Sequence, residues 1–114
     1  MKEIIEKLKA ACAAKNPNYE LVVTLLKELR EYFKANLTEP GLVKMIRLAY
    51  EDLEANGAYT FLYLEESNAQ ENLAYFIDLL ADYSNKYNRE ELQDIRNLME
   101  GIAPEVEESE AEEA

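Results

Sequence analysis

The sequence predicts an all-α protein, an antiparallel bundle of four to five helices over residues 1–102 with a disordered acidic tail over residues 103–114. Three observations lead to this prediction. The 114 residues contain only three Gly and three Pro, so turns are few and the segments between them are long. These segments are rich in Leu, Ala, Glu and Lys, which favour helices. Apolar residues recur at spacings of three and four, the period of one helix face.

The segment from Pro17 to Asn36 has the broadest apolar face and is the expected centre of the bundle. Pro17 suits a first helical turn, and Asn16 before it is the expected N-cap. A preceding helix is expected from about Lys2 to Ala14, and the short link makes the two helices antiparallel. The apolar face of the central helix consists of Val22, Leu25, Leu26, Leu29 and Phe33, widened by Leu21, Val23 and Tyr32.

A third helix is predicted from Glu39 to Ala55. Thr38 is the expected N-cap, and Pro40 is tolerated in the first turn. Gly57 is interpreted as a left-handed C-cap because the residues before it have helical periodicity.

The residues after Gly57 admit more than one interpretation. Tyr59, Phe61 and Tyr63 alternate as in a strand, but a strand without a partner would leave its backbone unpaired. The spacing of three and four continues from Tyr59 to Tyr87, which predicts a helix from Ala58 to Lys86.

A break near Ser67 competes with that continuous helix. Ser67 and Gln70 have the spacing of a capping box, which would start a new helix at Asn68. The second half of this segment is expected to form the core pair with the central helix. The same spacing at Asn88 and Glu91 predicts a last helix from Arg89 to Glu100, closed by Gly101.

The net charge of −12 is unevenly distributed. Residues 1–47 hold nine basic against six acidic side chains, residues 48–102 hold three against twelve, and residues 103–114 hold six Glu and no base. Direct nucleic-acid binding through a basic stripe is therefore disfavoured.

No run approaches the ~20 apolar residues of a membrane span, so no membrane association is expected. The single Cys12 agrees with a reducing, cytoplasmic location.

Catalysis is not expected from this residue set. The sequence has no His, the commonest general base and metal ligand, and no Gly-rich phosphate loop or nucleophile elbow. Cys12 lies on the apolar face of the first helix and is interpreted as a core residue. The clustered carboxylates are interpreted as a solvated acidic face. The alternative is a metal site with oxygen ligands, formed by Asp78 and Asp82 with Glu51, Asp52 and Glu54. No cofactor is predicted.

The aromatic residues suggest a function. Eight of the eleven Tyr and Phe residues lie between Tyr50 and Tyr87. Three of them lie partly off the core seam and, with their acidic neighbours, form the predicted partner-binding set: Tyr63, Tyr75, Tyr87, Glu65, Glu66, Glu71 and Asp82. The alternative is that these rings wedge between helices with their hydroxyls at the rim.

An acidic, Tyr-bearing surface suits a partner that presents Lys or Arg. The sequence therefore predicts a non-catalytic protein-protein interaction module whose partner is a protein with a basic surface or a second copy of the chain. The alternative is an acidic nucleic-acid mimic or regulator that occupies the basic surface of a nucleic-acid-binding protein.

Overall fold

A computed structural model describes residues 1–101, and these residues fold into an all-α bundle of five helices without strands. The all-α prediction is confirmed. The acidic tail predicted for residues 103–114 lies outside the described residues, as does residue 102. The helices are α1 (Lys2–Ala13), α2 (Tyr19–Asn36), α3 (Pro40–Asn56), α4 (Ala69–Ala81) and α5 (Lys86–Met99).

The helices pack in an order that differs from the predicted one. The central helix α2 packs against α1 and α3, whereas α4 packs against α1 and α5. Within residues 1–101, no Cα atom of α2 lies within 8 Å of one in α4, so the predicted core pair is wrong. The two halves of the bundle are therefore joined by the packing of α1 against α4 and by a smaller contact of α3 with α5. No helix in this part of the chain is long and apolar enough to cross a membrane.

Every helix contributes to one core. The centre of the predicted apolar face of α2 is buried from Val22 to Phe33. Of the residues predicted to widen this face, Val23 and Tyr32 are half-buried and Leu21 is 46% exposed. Among the side chains with at most 1% exposure are Leu8, Leu29, Ile46, Phe76 and Ile95, one from each helix in chain order. Cys12 is buried with them, as expected for a small apolar side chain.

Two helices begin at a different Asn from the one predicted. Asn18, and not Asn16, caps α2, because its Oδ1 accepts from the Leu21 N–H at 3.2 Å. Asn85 caps α5, because its Oδ1 accepts from the N–H groups of Tyr87 and Asn88, so α5 begins at Lys86 rather than Arg89. The side chain of Asn88 donates instead to the carbonyl of Asp82 at 3.1 Å.

The ends of α3 follow the sequence closely. Pro40 occupies its first turn, and Gly57 closes it with φ 69°, the left-handed conformation predicted for this residue. The N-cap position belongs to Glu39, so the prediction of Thr38 as the cap is wrong. Gly101 also has positive φ, 77°, just after α5, as predicted.

The continuous helix predicted from Ala58 to Lys86 is wrong. The competing prediction, a break near Ser67 followed by a new helix, is confirmed. Residues 57–68 form a non-helical loop. The helix that follows begins at Ala69, one residue later than the Ser67 box would place it. Asn68 Oδ1 accepts from the Glu71 N–H at 2.7 Å, and the Glu71 carboxylate accepts from the Asn68 N–H at 3.1 Å. This reciprocal capping box fixes the start of α4.

The 57–68 loop is held in place by two buried polar side chains. Asp52 on α3 accepts from the N–H of Thr60 at 2.5 Å and from its hydroxyl at 2.7 Å. Asn72 on α4 accepts from the Leu64 N–H at 2.6 Å and donates to three loop carbonyls, those of Leu64, Ser67 and Asn68. Between these two anchors, Tyr59 enters the core with 1% exposure.

Candidate interaction site

Two tyrosines form the centre of the candidate site. Tyr63 comes from the 57–68 loop and Tyr75 from the middle of α4, and their rings stack with centroids 6.3 Å apart and an interplanar angle of 16°. Asn72 bonds both the N–H and the carbonyl of Leu64, the residue after Tyr63. The position of the Tyr63 ring is therefore set by a buried side chain of the same helix that carries Tyr75.

Both hydroxyls point at carboxylates of α5. The Tyr63 hydroxyl donates to Asp94 Oδ2 at 3.2 Å, and the Tyr75 hydroxyl donates to the Glu91 carboxylate. Glu91 and Asp94 are three residues apart, so they lie on the same face of α5. We call the set Tyr63, Tyr75, Glu91 and Asp94 the tyrosine-carboxylate surface.

The acidic surroundings change the titration of both rings. The hydrogen bond to Glu91 raises the pKa of Tyr75 to about 12, helped by partial burial. Burial and the negative charge of Asp94 raise the pKa of Tyr63 above its ordinary value. Both tyrosines are therefore neutral hydrogen-bond donors at neutral pH.

Exposed apolar groups extend this surface along α5. Tyr87 lies one turn before Glu91 and is 71% exposed, and Leu98 lies one turn after Asp94 and is 42% exposed. The spacings of four, three and four place all four side chains within one narrow stripe of the helix. An exposed aromatic ring such as that of Tyr87 is typical of interaction surfaces, which are enriched in Tyr.

The two carboxylates of the tyrosine-carboxylate surface have no cationic partner within residues 1–101: no Lys or Arg nitrogen lies within 4.0 Å of Glu91 or Asp94. The arginines of α5 lie on its other side. Arg89 pairs with Glu39 at 3.4 Å, and Arg96 pairs with Glu100 at 3.2 Å. At about 100° per residue, Arg96 is roughly opposite the stripe that contains Glu91 and Asp94.

The structure brings together some of the seven predicted site residues. Tyr63 and Tyr75 are in contact and half-buried with hydroxyls at the rim, as the alternative interpretation expected, whereas Tyr87 is mostly exposed. The four predicted carboxylates are all exposed but do not bond the rings. Glu65 and Glu66 lie in the 57–68 loop, Glu71 completes the capping box of α4, and Asp82 follows the last turn of α4.

Sequence reasoning missed the two carboxylates that bond the hydroxyls. Glu91 and Asp94 lie four and seven residues after Tyr87, the spacing of one helix face. That signal was hidden because the predicted helix began at Arg89 and so excluded Tyr87.

The other residues considered for chemistry are the carboxylates proposed as metal ligands and the thiol of Cys12. Within residues 1–101, no group of three or more Cys, Asp or Glu side chains is arranged to hold a metal ion. Two of the carboxylates weighed as metal ligands have other partners: Asp78 pairs with Lys9 at 3.3 Å, and Asp52 anchors Thr60. Burial, together with the charge of Asp78, raises the pKa of Cys12 to about 11, so this thiol is protonated at neutral pH.

Comparison with known proteins identifies no relative: no family model, no curated protein and no solved structure matches this chain. The class defined by the fold of residues 1–101 is a small bundle of five helices.

Proposed function

We propose that this chain is a non-catalytic protein-protein interaction module that binds a partner with a basic surface through the tyrosine-carboxylate surface. One observation carries the proposal. Glu91 and Asp94 are held by tyrosine hydroxyls, yet no cation of residues 1–101 neutralises them. A charged pair fixed in this way is ready to accept a cation from another molecule.

The chemistry of the surface favours Arg or Lys. Each carboxylate offers about four lone-pair positions, so a hydroxyl donor leaves room for a guanidinium or ammonium. The neighbouring Tyr87 presents an exposed ring for a cation-π contact. Because stacking and hydrogen bonds already order Tyr63 and Tyr75, binding loses little side-chain freedom.

The wider charge distribution supports the same kind of partner. Residues 48–102 hold twelve acidic against three basic side chains, which attracts basic proteins and speeds their association at low salt. We place this binding in the cytoplasm, in line with the single unpaired thiol. A second copy of the chain qualifies as the partner, since residues 1–47 have a net basic charge.

Binding of a fluorescent Arg-rich peptide, measured by anisotropy, tests the proposal. The double variant Glu91→Gln, Asp94→Asn should weaken binding about tenfold or more, because charge-assisted hydrogen bonds are lost. The matched control Glu3→Gln, Glu6→Gln also removes two negative charges, but from the exposed side of α1, and should change affinity about twofold at most. Equal losses in both double variants would contradict a local site.

The alternative function, an acidic mimic that covers the basic surface of a nucleic-acid-binding protein, is favoured by a separate observation. Between residues 60 and 101, seven carboxylates form no ion pair within 4.0 Å: Glu65, Glu66, Glu71, Asp82, Glu90, Glu91 and Asp94. Such a mimic acts through many charges, so both double variants should weaken binding equally, with a steep dependence on salt. Deletion of residues 103–114 should weaken it further.

A further inference from the structure

A cavity of about 220 Å³ lies on the opposite side of α5 from the tyrosine-carboxylate surface. It opens between the first turn of α3 and the stretch of α5 from Arg89 to Arg96. Its volume is below the roughly 300–1,000 Å³ typical of pockets for drug-sized ligands, so it fits a small molecule. Its lining includes the apolar side chains of Leu42, Met45 and Leu92 and the charged side chains of Glu39, Arg89 and Arg96.

The floor of the cavity is apolar and its rim is polar. Leu42, Met45 and Leu92 are core residues that reach the cavity from α3 and α5. Arg89 and Arg96 are two turns apart on α5, so both guanidinium groups line the same side. A ligand suited to this arrangement has an anionic group beside a compact apolar body.

Gly41 allows one of these guanidinium groups to lie close to α3. A Cβ atom added at Gly41 would stand 2.7 Å from Nη1 of Arg96, closer than real contacts of this kind. The absence of a side chain therefore gives Arg96 its place at the cavity. Arg96 uses only Nε in its hydrogen bond to Glu100, which leaves its Nη donors without an acceptor among residues 1–101.

The charges around the cavity leave an excess of positive charge. Glu100 is shared between Arg96 at 3.2 Å and Lys44 at 2.9 Å, so one carboxylate serves two cations. Arg89 and Glu39 neutralise each other at 3.4 Å. A local excess of one positive charge in a chain of net charge −12 indicates a place for an anion.

We propose that this cavity binds a small organic carboxylate, with its anionic group at Arg89 and Arg96 and its apolar body on the cavity floor. The site is separate from the proposed partner surface, because the two occupy opposite sides of α5. Each can therefore fail without the other.

Titration of the full-length, 15N-labelled protein with benzoate tests the proposal by NMR. Benzoate should cause saturable shifts of the backbone amides of Gly41, Leu42 and Leu92.

Arg89→Gln and Arg96→Gln should each weaken binding about tenfold, the size expected for one lost charge-assisted hydrogen bond. Arg47→Gln, which removes an equal charge from the Glu51 pair on α3, should leave benzoate affinity unchanged. Absence of saturable shifts at the cavity, or equal losses in all three variants, would overturn the proposal.

Two further measurements distinguish loss of the site from unfolding of the protein, and specific binding from general anion binding. Gly41→Ala adds the methyl group that displaces Arg96, while Ala favours the helix, so this variant should stay folded and bind benzoate more weakly. Unchanged affinity in folded Gly41→Ala would contradict the assigned role of Arg96. Acetate and inorganic phosphate, which lack an apolar body, should bind more weakly than benzoate. Tighter binding of either would overturn the assignment of an organic ligand.

Discussion

The carboxylate of Asp52 accepts two hydrogen bonds from Thr60, one from the backbone N–H at 2.5 Å and one from the hydroxyl at 2.7 Å. It also accepts from Asn56 Nδ2 at 2.7 Å. Three donors therefore meet one side chain that is only 8% exposed, at the point where α3 ends and the 57–68 loop begins. This contact anchors the start of the loop that carries Tyr63.

Asp52→Asn should destabilise the protein by about 2–4 kcal/mol, measured by urea unfolding. The amide group places its own donors against Thr60 or Asn56, so buried hydrogen bonds are lost and not merely weakened. Glu51→Gln is the matched control, since Glu51 is exposed and pairs only with Arg47 on the same helix. Its effect should stay below about 0.5 kcal/mol, and an equal effect of the two changes would show that Asp52 is not a buried anchor.

Asn72→Ala should loosen the second half of the loop and cost about 3 kcal/mol of stability, because four loop bonds end on this side chain. Native-state hydrogen exchange gives a local measurement: the Leu64 N–H should exchange much faster in the variant. Asn97→Ala is the control, since Asn97 bonds only Gln93 at 3.1 Å. Retained protection of Leu64 would contradict the anchor assigned to Asn72.

The tyrosine hydroxyls predict how stability depends on alkaline pH. Tyr75 has a pKa near the ordinary value of about 10 when unfolded and about 12 when folded. Between these values the folded state binds more protons than the unfolded state, so its contribution to stability is complete below about pH 10 and falls as the pH rises to 12. Tyr75→Phe should therefore lose less stability than the wild type over this range, measured by urea unfolding at several pH values. Parallel curves would contradict the hydrogen bond to Glu91.

Cys12 should resist thiol reagents in the folded protein. Its side chain is 1% exposed and its pKa is about 11, so at pH 8 it is both buried and protonated. Labelling by an aromatic disulfide at pH 8 should be slow in buffer and should accelerate as urea populates the unfolded state. Rapid labelling without urea would place Cys12 at the surface.

The helices were predictable from local patterns because the spacing of an apolar helix face and the residues that end a helix recur within a few positions of the sequence. The apolar spacing of α2 and the left-handed Gly57 need only neighbouring residues to be recognised, and the structure confirms both. Helix starts were less certain wherever two asparagines competed. Asn18 displaced Asn16, and Asn85 displaced Asn88, because only geometry decides which side chain reaches a free N–H.

The 57–68 loop was missed for a physical reason. An extended segment was rejected because its backbone would be unpaired, but Asp52 and Asn72 supply the missing partners, each eight residues from its target. The apolar spacing that suggested a helix does not correspond to one buried face, since Leu62 is 45% exposed. The same limit applies to the candidate site, where the ring of Tyr63 finds its carboxylate 31 residues away.

Packing of α1 against α4 has a consequence for the order of folding. Gln70 at the start of α4 donates to the carbonyls of Cys12 and Ala14, residues 58 and 56 positions earlier. During synthesis the first helix therefore has one flank without its final neighbour until α4 has left the ribosome. Non-local contacts of this kind slow the search for the native state, so closure of the bundle waits for the C-terminal helix pair.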